Sequence, residues 1–209
     1  MNLYYLWFNR EVASFLSKRF FKIWAKRLLN LPSLLSISFR IYLYKLKGLK
    51  IGTLSILGEL DLNGSISKLN IGESSFISTG VHLALHESIN IGSYVVINTG
   101  VQLLTGTHNV SSPNWELIKK PIFIKDYAWI AQSAIIMPGV TIGKFAVVGA
   151  GAVVRQDVPD FSIAIGNPAF LIEKKRSDDC IYRPVNTVAC VEAWLGTNIK
   201  KSIKEKWQS

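Results

Sequence analysis

Residues 124–159 read IKDYAW IAQSAI IMPGVT IGKFAV VGAGAV VRQDVP. Each block of six opens on Ile or Val: Ile124, Ile130, Ile136, Ile142, Val148 and Val154. The fifth place holds a small or β-branched residue: Ala128, Ala134, Val140, Ala146, Ala152 and Val158. A helix repeats about every 3.6 residues and a strand about every 2, so neither accounts for a period of six. A parallel β-helix does. Three hexads close one triangular coil. The leading branched side chain fills its centre, and the fifth residue, pointing inward near a corner, has to be small. Successive coils stack as parallel strands about 4.8 Å apart. No coil is stable alone, because only its neighbours cover its edges.

The same frame extends toward the N-terminus. IGTLSI and LGELDL occupy 51–62, and a slip over 63–70 predicts a shortened coil. IGESSF, ISTGVH and LALHES resume at Ile71, and IGSYVV, INTGVQ and LLTGTH follow from Ile91, with Ile89 and Asn90 inserted between the two sets. Residues 106–121, GTHNVSSPNWELIKKP, then interrupt the repeat with turn formers and no branched residue at hexad spacing. An extruded loop of this kind is where function tends to sit. The fold class is therefore mainly β: a parallel β-helix over 51–169, an N-terminal amphipathic helical arm over 1–50 and a partly helical C-terminal tail over 170–209.

Charge divides unevenly. Residues 1–50 carry ten Lys/Arg against one acid, Glu11, whereas 51–209 carry fourteen against thirteen. A nearly neutral body argues against a nucleic-acid groove along the repeats. In the arm, Tyr5, Phe8, Val12, Phe15, Phe20, Ile23, Trp24, Leu28 and Leu31 fall near one face of a helix over 1–31, with room for a break near Arg10, and Pro32 is expected to end it. A second segment, 37–50, mixes Phe39, Tyr42 and Tyr44 with Arg40, Lys45, Lys47 and Lys50. Two readings stay open: an in-plane anchor on an anionic membrane, engaging residues 1–47, or a helix packed on the prism or on another subunit. A tail helix is expected from Val188 to Trp207, weakened by Gly196. Two cysteines, Cys180 and Cys190, make no disulfide framework. No apolar run reaches the ~18 residues of a membrane span, and the N-terminus lacks a secretory signal pattern. A cytoplasmic location is expected, to which the anchor reading of the arm adds peripheral contact at the inner membrane face.

PGVTIG at 138–143, GAGAVV at 149–154, DVP at 157–159 and GNPA at 166–169 resemble the hexapeptide-repeat acyltransferases, among them the colanic-acid-type, galactoside, maltose and xenobiotic O-acetyltransferases. The resemblance covers roughly residues 50–175 and implies a left-handed parallel β-helix, a homotrimer with sites between subunits, and acetyl-CoA as co-substrate. It places the catalytic base at His108, in TGTHN, at the root of the extruded loop. A histidine suits this role because it is neutral near pH 7 and can return the proton it takes. By the same resemblance Trp129, Ala131, Gln132, Gly149 and Ala150 line a slot for the pantetheine arm and thioester. Arg155 then serves the nucleotide phosphates, with Lys174 and Lys175 as substitutes for basic residues that the relatives carry, and Ser78, His86 and Glu87 face the acceptor, Ser78 and His86 standing where the galactoside and maltose relatives have Asn and Asp. Gln156, Phe170 and Glu173 depart from the basic pattern of the relatives at the nucleotide end. His82, His86 and His108 do not share a register that would converge on one zinc, so no metal is expected. The function implied is acetyl transfer to a hydroxyl of a cell-surface glycan or its lipid-linked precursor. A small soluble acceptor (free sugar, serine or antibiotic) is the alternative, followed by a non-catalytic scaffold.

Overall fold

In the computed structural model, which describes residues 3–177 and 182–196, the repeats wind into a three-faced prism of parallel sheets. The first face stacks Lys50–Ile51, Leu69–Ile71, Ile89–Ile91, Ile122–Ile124 and Thr141–Ile142. The second runs from Ile56–Leu57 to Ile163–Ile165, and the third from Leu60–Gly64 to Val153–Val154. Ile124 pairs with Ile142, eighteen residues on, which is three hexads. The leading residues Ile124, Ile130, Ile136, Ile142, Val148 and Val154 are all at most 2% exposed. Each such branched side chain contributes about 1.5–3 kcal/mol by burial.

The first coil is not shortened. Ile51 pairs with Ile71 and Ile71 with Ile91, so both coils span twenty residues. The slip arises because Leu62 faces Leu83 across the sheet, whereas a strict hexad frame would put Asn63 there. The lost residue is regained at the next corner, where Ile66–Lys68 forms a 3-10 turn.

One corner of the prism is built from residues that hexad counting does not single out. Leu54, Ser74, Tyr94, Tyr127, Phe145 and Phe161 all have φ between 53° and 61°. The left-handed conformation costs an L-residue about 1–2 kcal/mol, and here the corner turn imposes it at one residue per coil. Stacking offsets part of that cost. The rings of Tyr94, Tyr127, Phe145 and Phe161 form a continuous column with centroid separations of 4.7, 4.7 and 5.1 Å. Each offset pair adds about 0.5–1.5 kcal/mol.

Helices α1 (Leu3–Phe8) and α2 (Lys18–Leu46) form the arm. Ser17 caps α2, its Oγ accepting from the Phe20 N–H at 3.1 Å. Pro32 lies inside α2 instead of ending it. Both Pro32 and Leu28, whose carbonyl loses its N–H partner, are exposed, so water can serve that carbonyl. The face that packs is Arg27, Leu34 and Ile41, seven apart. Phe8, Val12, Phe15 and Leu28, of the apolar set that the sequence gathers on one face, are exposed.

The tail returns along the aromatic corner. Arg176 Nη1 donates to the Tyr127 carbonyl at 3.0 Å, and the Tyr182 ring meets Tyr127 edge-on. Its described part reaches α3 (Ala189–Leu195), which packs on α2 and is capped by Gly196, φ 75°. The rest of the expected tail helix, with Ile199, Ile203 and Trp207, lies outside the described residues, as does Cys180. Arg27, 3% exposed, ties arm to tail: its guanidinium donates to the carbonyls of Glu11, Ala193 and Trp194.

Candidate active site

The extruded segment is a β-hairpin. Gly106–His108 pairs antiparallel with Leu117–Lys119, His108 opposite Leu117. Its root is fixed to the preceding coil by Thr105, fully buried, whose hydroxyl donates to the Ala84 carbonyl and accepts from the Glu87 N–H at 2.9 Å. Gly106 is required by contact: a Cβ there would stand 2.6 Å from His86 Cδ2. His86 therefore lies beneath the hairpin root.

His108 is exposed, and its Nδ1 lies 2.7 Å from the carbonyl oxygen of Trp115. A carbonyl only accepts, so the ring proton belongs on Nδ1, and Nε2 keeps its lone pair. The Trp115 ring stacks on the imidazole at 4.9 Å and 13°. Trp115 itself has φ 50°, a conformation costly for a bulky residue and frequent at functional sites. Glu116 stiffens the loop beside it, accepting from Asn109 Nδ2 at 2.9 Å and Ser112 Oγ at 2.6 Å. Those hydrogen bonds, Ser112 first, hold its carboxyl below the ordinary value. Neither Trp115 nor Thr105 stands out by repeat counting. A lone tryptophan in a polar loop was the available signal.

The remaining candidates fall at two different corners. His86, Glu87 and the hairpin carrying His108 sit where the third face turns into the first, and Arg155 lies on that corner two coils further along. Glu87 Oε1 accepts from the Ser88 N–H at 2.9 Å. Ser78, Ala131, Gln132, Gly149 and Ala150 stack instead where the second face turns into the third. Ser78 Oγ meets Thr99 Oγ1 at 2.7 Å, and the Gln132 carbonyl accepts from the Gly151 N–H at 2.9 Å, leaving the Gln132 side chain exposed. Trp129, 42% exposed, lies on the second face with its Nε1 donating to Asn98 Oδ1 at 2.8 Å. Lys174 and Lys175 are exposed beyond the last coil. Within one protomer the whole third face separates His108 from Gln132. Ser78 and His86, expected to share an acceptor, lie at opposite ends of one third-face strand, Val81–Leu85.

His82 projects from the third face, its Nδ1 2.8 Å from Asp61 Oδ2. Among the described residues no three His, Cys, Asp or Glu side chains gather as a metal site.

Residues 121–156 match the family model for bacterial transferase hexapeptide, six repeats. WcaF of Escherichia coli K12, a protein assigned to colanic acid biosynthesis as an acetyltransferase, is 32% identical over 137 residues, 66% of this chain and 75% of its own. The chain belongs to the hexapeptide-repeat acetyltransferases. This acetyltransferase is thus of the acetyl-CoA-dependent kind that the family comprises. The galactoside O-acetyltransferase of Escherichia coli K12 is 33% identical over 56% of this chain and 59% of its own. Among solved structures, a hexapeptide-repeat acetyltransferase of Vibrio cholerae matches with TM-score 0.62 at 28% identity, covering 83% of this chain and 99% of that one. The maltose O-acetyltransferase of Clostridium difficile matches with TM-score 0.58 at 28% identity, covering 66% and 75%. The Vibrio cholerae enzyme has also been solved with acetyl coenzyme A.

Proposed function

We propose that this acetyltransferase moves acetyl from acetyl-CoA to a hydroxyl of a cell-surface glycan or its lipid-linked precursor, with His108 as general base. The observation that carries the mechanism is the contact between His108 Nδ1 and the Trp115 carbonyl at 2.7 Å. It leaves Nε2 as the acceptor for the hydroxyl proton. The freed oxygen attacks the thioester carbonyl and forms the new C–O bond. The tetrahedral oxyanion, stabilised by backbone N–H donors of a neighbouring coil, collapses with cleavage of the C–S bond. The proton on Nε2 passes to the departing thiolate, so no acyl-enzyme forms and His108 is regenerated.

The division of the candidates between two corners supports a site shared by copies of the chain. In this reading His108 of one protomer faces the Trp129, Gln132 and Ala150 slot of the next, and a closed homotrimer completes three such sites. Arg155, Lys174 and Lys175 then supply positive charge toward the nucleotide phosphates. Ser78, His86 and Glu87 border the acceptor from the two sides of the same crevice. The assignment of WcaF to an exopolysaccharide, colanic acid, supports a glycan acceptor.

Two experiments test it. The His108→Ala variant loses acetyl transfer to glycan, read as loss of one-acetyl mass shifts. Mixing His108→Ala with the slot-blocked variant Ala150→Trp, each inactive alone, restores transfer through hybrid sites. Full activity in His108→Ala overturns the mechanism, and failure of complementation in demonstrably mixed oligomers overturns the shared site.

A further inference from the structure

Helix α2 has two apolar faces, and only one is used. Leu34 and Ile41 pack against the prism. The other face carries Phe21, Leu28, Leu35 and Tyr42, spaced by seven and 56%, 65%, 51% and 57% exposed. Positions seven apart lie within about 20° of one another around a helix, so these four form one continuous stripe from Phe21 to Tyr42 of the 29-residue helix. It merges with exposed Tyr4 and Trp7 of α1 at the mouth of a groove of about 380 Å³ between α1, α2 and α3. Every residue lining that groove is apolar or aromatic, including Leu6, Leu31, Leu34 and Trp194. Soluble proteins rarely leave so large a contiguous apolar surface without a partner.

We infer that this stripe and groove dock in the plane of an anionic lipid bilayer. Charge selects the occupant. The arm holds ten Lys/Arg and a single acid, and that acid, Glu11, is engaged by Arg19. Lys18 and Lys22 flank the stripe, within roughly 100° of Phe21 around the axis, and both are exposed. Lys45, Lys47 and Lys50 are exposed at the far end. Lys26 and Arg40 face Glu192 and Glu59 of the same chain, and Arg27 is buried; a second copy laid on the stripe would set the exposed lysines together, whereas anionic headgroups match them. No helix among the described residues is long and apolar enough to cross a membrane, so the arm lies flat. Aromatic rings then enter the interface and the groove receives acyl methylenes from the adjoining leaflet. The inference stands on the arm alone and does not depend on what the enzyme acetylates.

Flotation of the full-length protein with vesicles tests it. Wild type is expected to float with phosphatidylcholine vesicles containing phosphatidylglycerol, to release as salt is raised, and to stay down with phosphatidylcholine alone. The Lys18→Glu/Lys22→Glu variant weakens partitioning by at least about fivefold for each basic residue removed. The Phe21→Ser/Leu28→Ser variant loses flotation even on anionic vesicles. Light scattering without lipid gives the same mass for all three proteins, and acetyl transfer to a water-soluble acceptor is unaltered by the lysine changes. Wild type that fails to float with anionic vesicles overturns the inference. So does a change of solution mass in Phe21→Ser/Leu28→Ser, which would assign the stripe to a contact between subunits.

Discussion

His108 and Trp115 hold each other by both backbone and ring: the imidazole Nδ1 sits 2.7 Å from the tryptophan carbonyl oxygen, and the two rings stack at 4.9 Å. The two contacts have different chemical weight, and substitution separates them. His108→Ala removes the base and is expected to lower kcat/KM by about 10²–10⁴. Trp115→Ala keeps the carbonyl and loses only the stack, worth about 0.5–1.5 kcal/mol, so the fall in kcat is about tenfold or less. Steady-state kinetics of both variants checks the order. Equal losses would mean that the ring, not the carbonyl, fixes the imidazole.

The prism is legible in the sequence because its central positions tolerate only branched or small side chains. Ile130 and Ala134 are fully buried where the six-residue frame places them. Pro32 reads as a terminator because propensity speaks for an isolated helix. In the folded chain, Leu34 and Ile41 are anchored on the prism and the unpaired carbonyl of Leu28 faces solvent. The division of the candidate site is hidden for another reason. Hexad counting gives a residue's depth along the prism and its place within a hexad. Only the assembled coils show that Gln132 and His108 lie on opposite sides of one face. Trp115 offers the sequence only its ring, a lone tryptophan in a polar loop; the hydrogen bond to His108 comes from its carbonyl, which every residue possesses.

Gly106 and His86 form the second testable pair. A methyl at Gly106 would stand 2.6 Å from the His86 ring, so Gly106→Ala must displace the imidazole or tilt the hairpin. The expected cost is about 1–3 kcal/mol, typical of overpacking, together with lowered kcat. His86→Ala opens the space. In a double-mutant cycle followed by denaturant unfolding, the double variant is more stable than the sum of single effects predicts. Strict additivity would show that the two residues do not meet.

Glu116 makes the loop sensitive to acid. Hydrogen bonds from Ser112 and Asn109 hold its carboxyl below the ordinary glutamate value in the folded chain. A depressed carboxyl contributes stability that is fully present above the unfolded value and lost as pH falls through the folded one. Acidification from the ordinary glutamate value of about 4.3 down through the depressed one should therefore loosen residues 109–116, read as a change in the part of the tryptophan fluorescence that Trp115→Phe abolishes. In Glu116→Gln that signal should stay flat over the same range.

Tyr94 acts in the opposite direction, at alkaline pH. Burial first, and then the hydrogen bond to Glu73 Oε1 at 2.7 Å, leave its hydroxyl pushed up to about 12. A phenol with a raised folded value favours the folded state fully below its unfolded value of about 10, and that contribution is lost as pH rises through about 12. Burial also pushes the Tyr127 hydroxyl up, so absorbance titration of tyrosinate should show late-titrating groups whose amplitude falls by one tyrosine in Tyr94→Phe. An unchanged titration curve would remove Tyr94 from among them.

Arg27 is the residue whose loss should separate arm from tail. Its guanidinium serves the carbonyls of Glu11, Ala193 and Trp194 and lies 5.1 and 5.0 Å from the ring centroids of Trp24 and Trp194. Two of those carbonyls belong to the C-terminal end of α3, where a cation is also favoured by the helix dipole. In Arg27→Ala the carbonyl of Trp194 keeps the Glu11 N–H at 2.7 Å, whereas those of Ala193 and Glu11 lose the guanidinium, at about 1–3 kcal/mol for a polar group left buried without a partner. For a chain of this size each kcal/mol lowers Tm by roughly 2–4 °C. The prism does not depend on this contact, so the loss should be local. Hydrogen exchange should accelerate over residues 9–17 and 189–195 while Ile124 to Val154 keeps its protection. Uniform acceleration through the prism would instead make the arm and tail part of one cooperative unit with the coils.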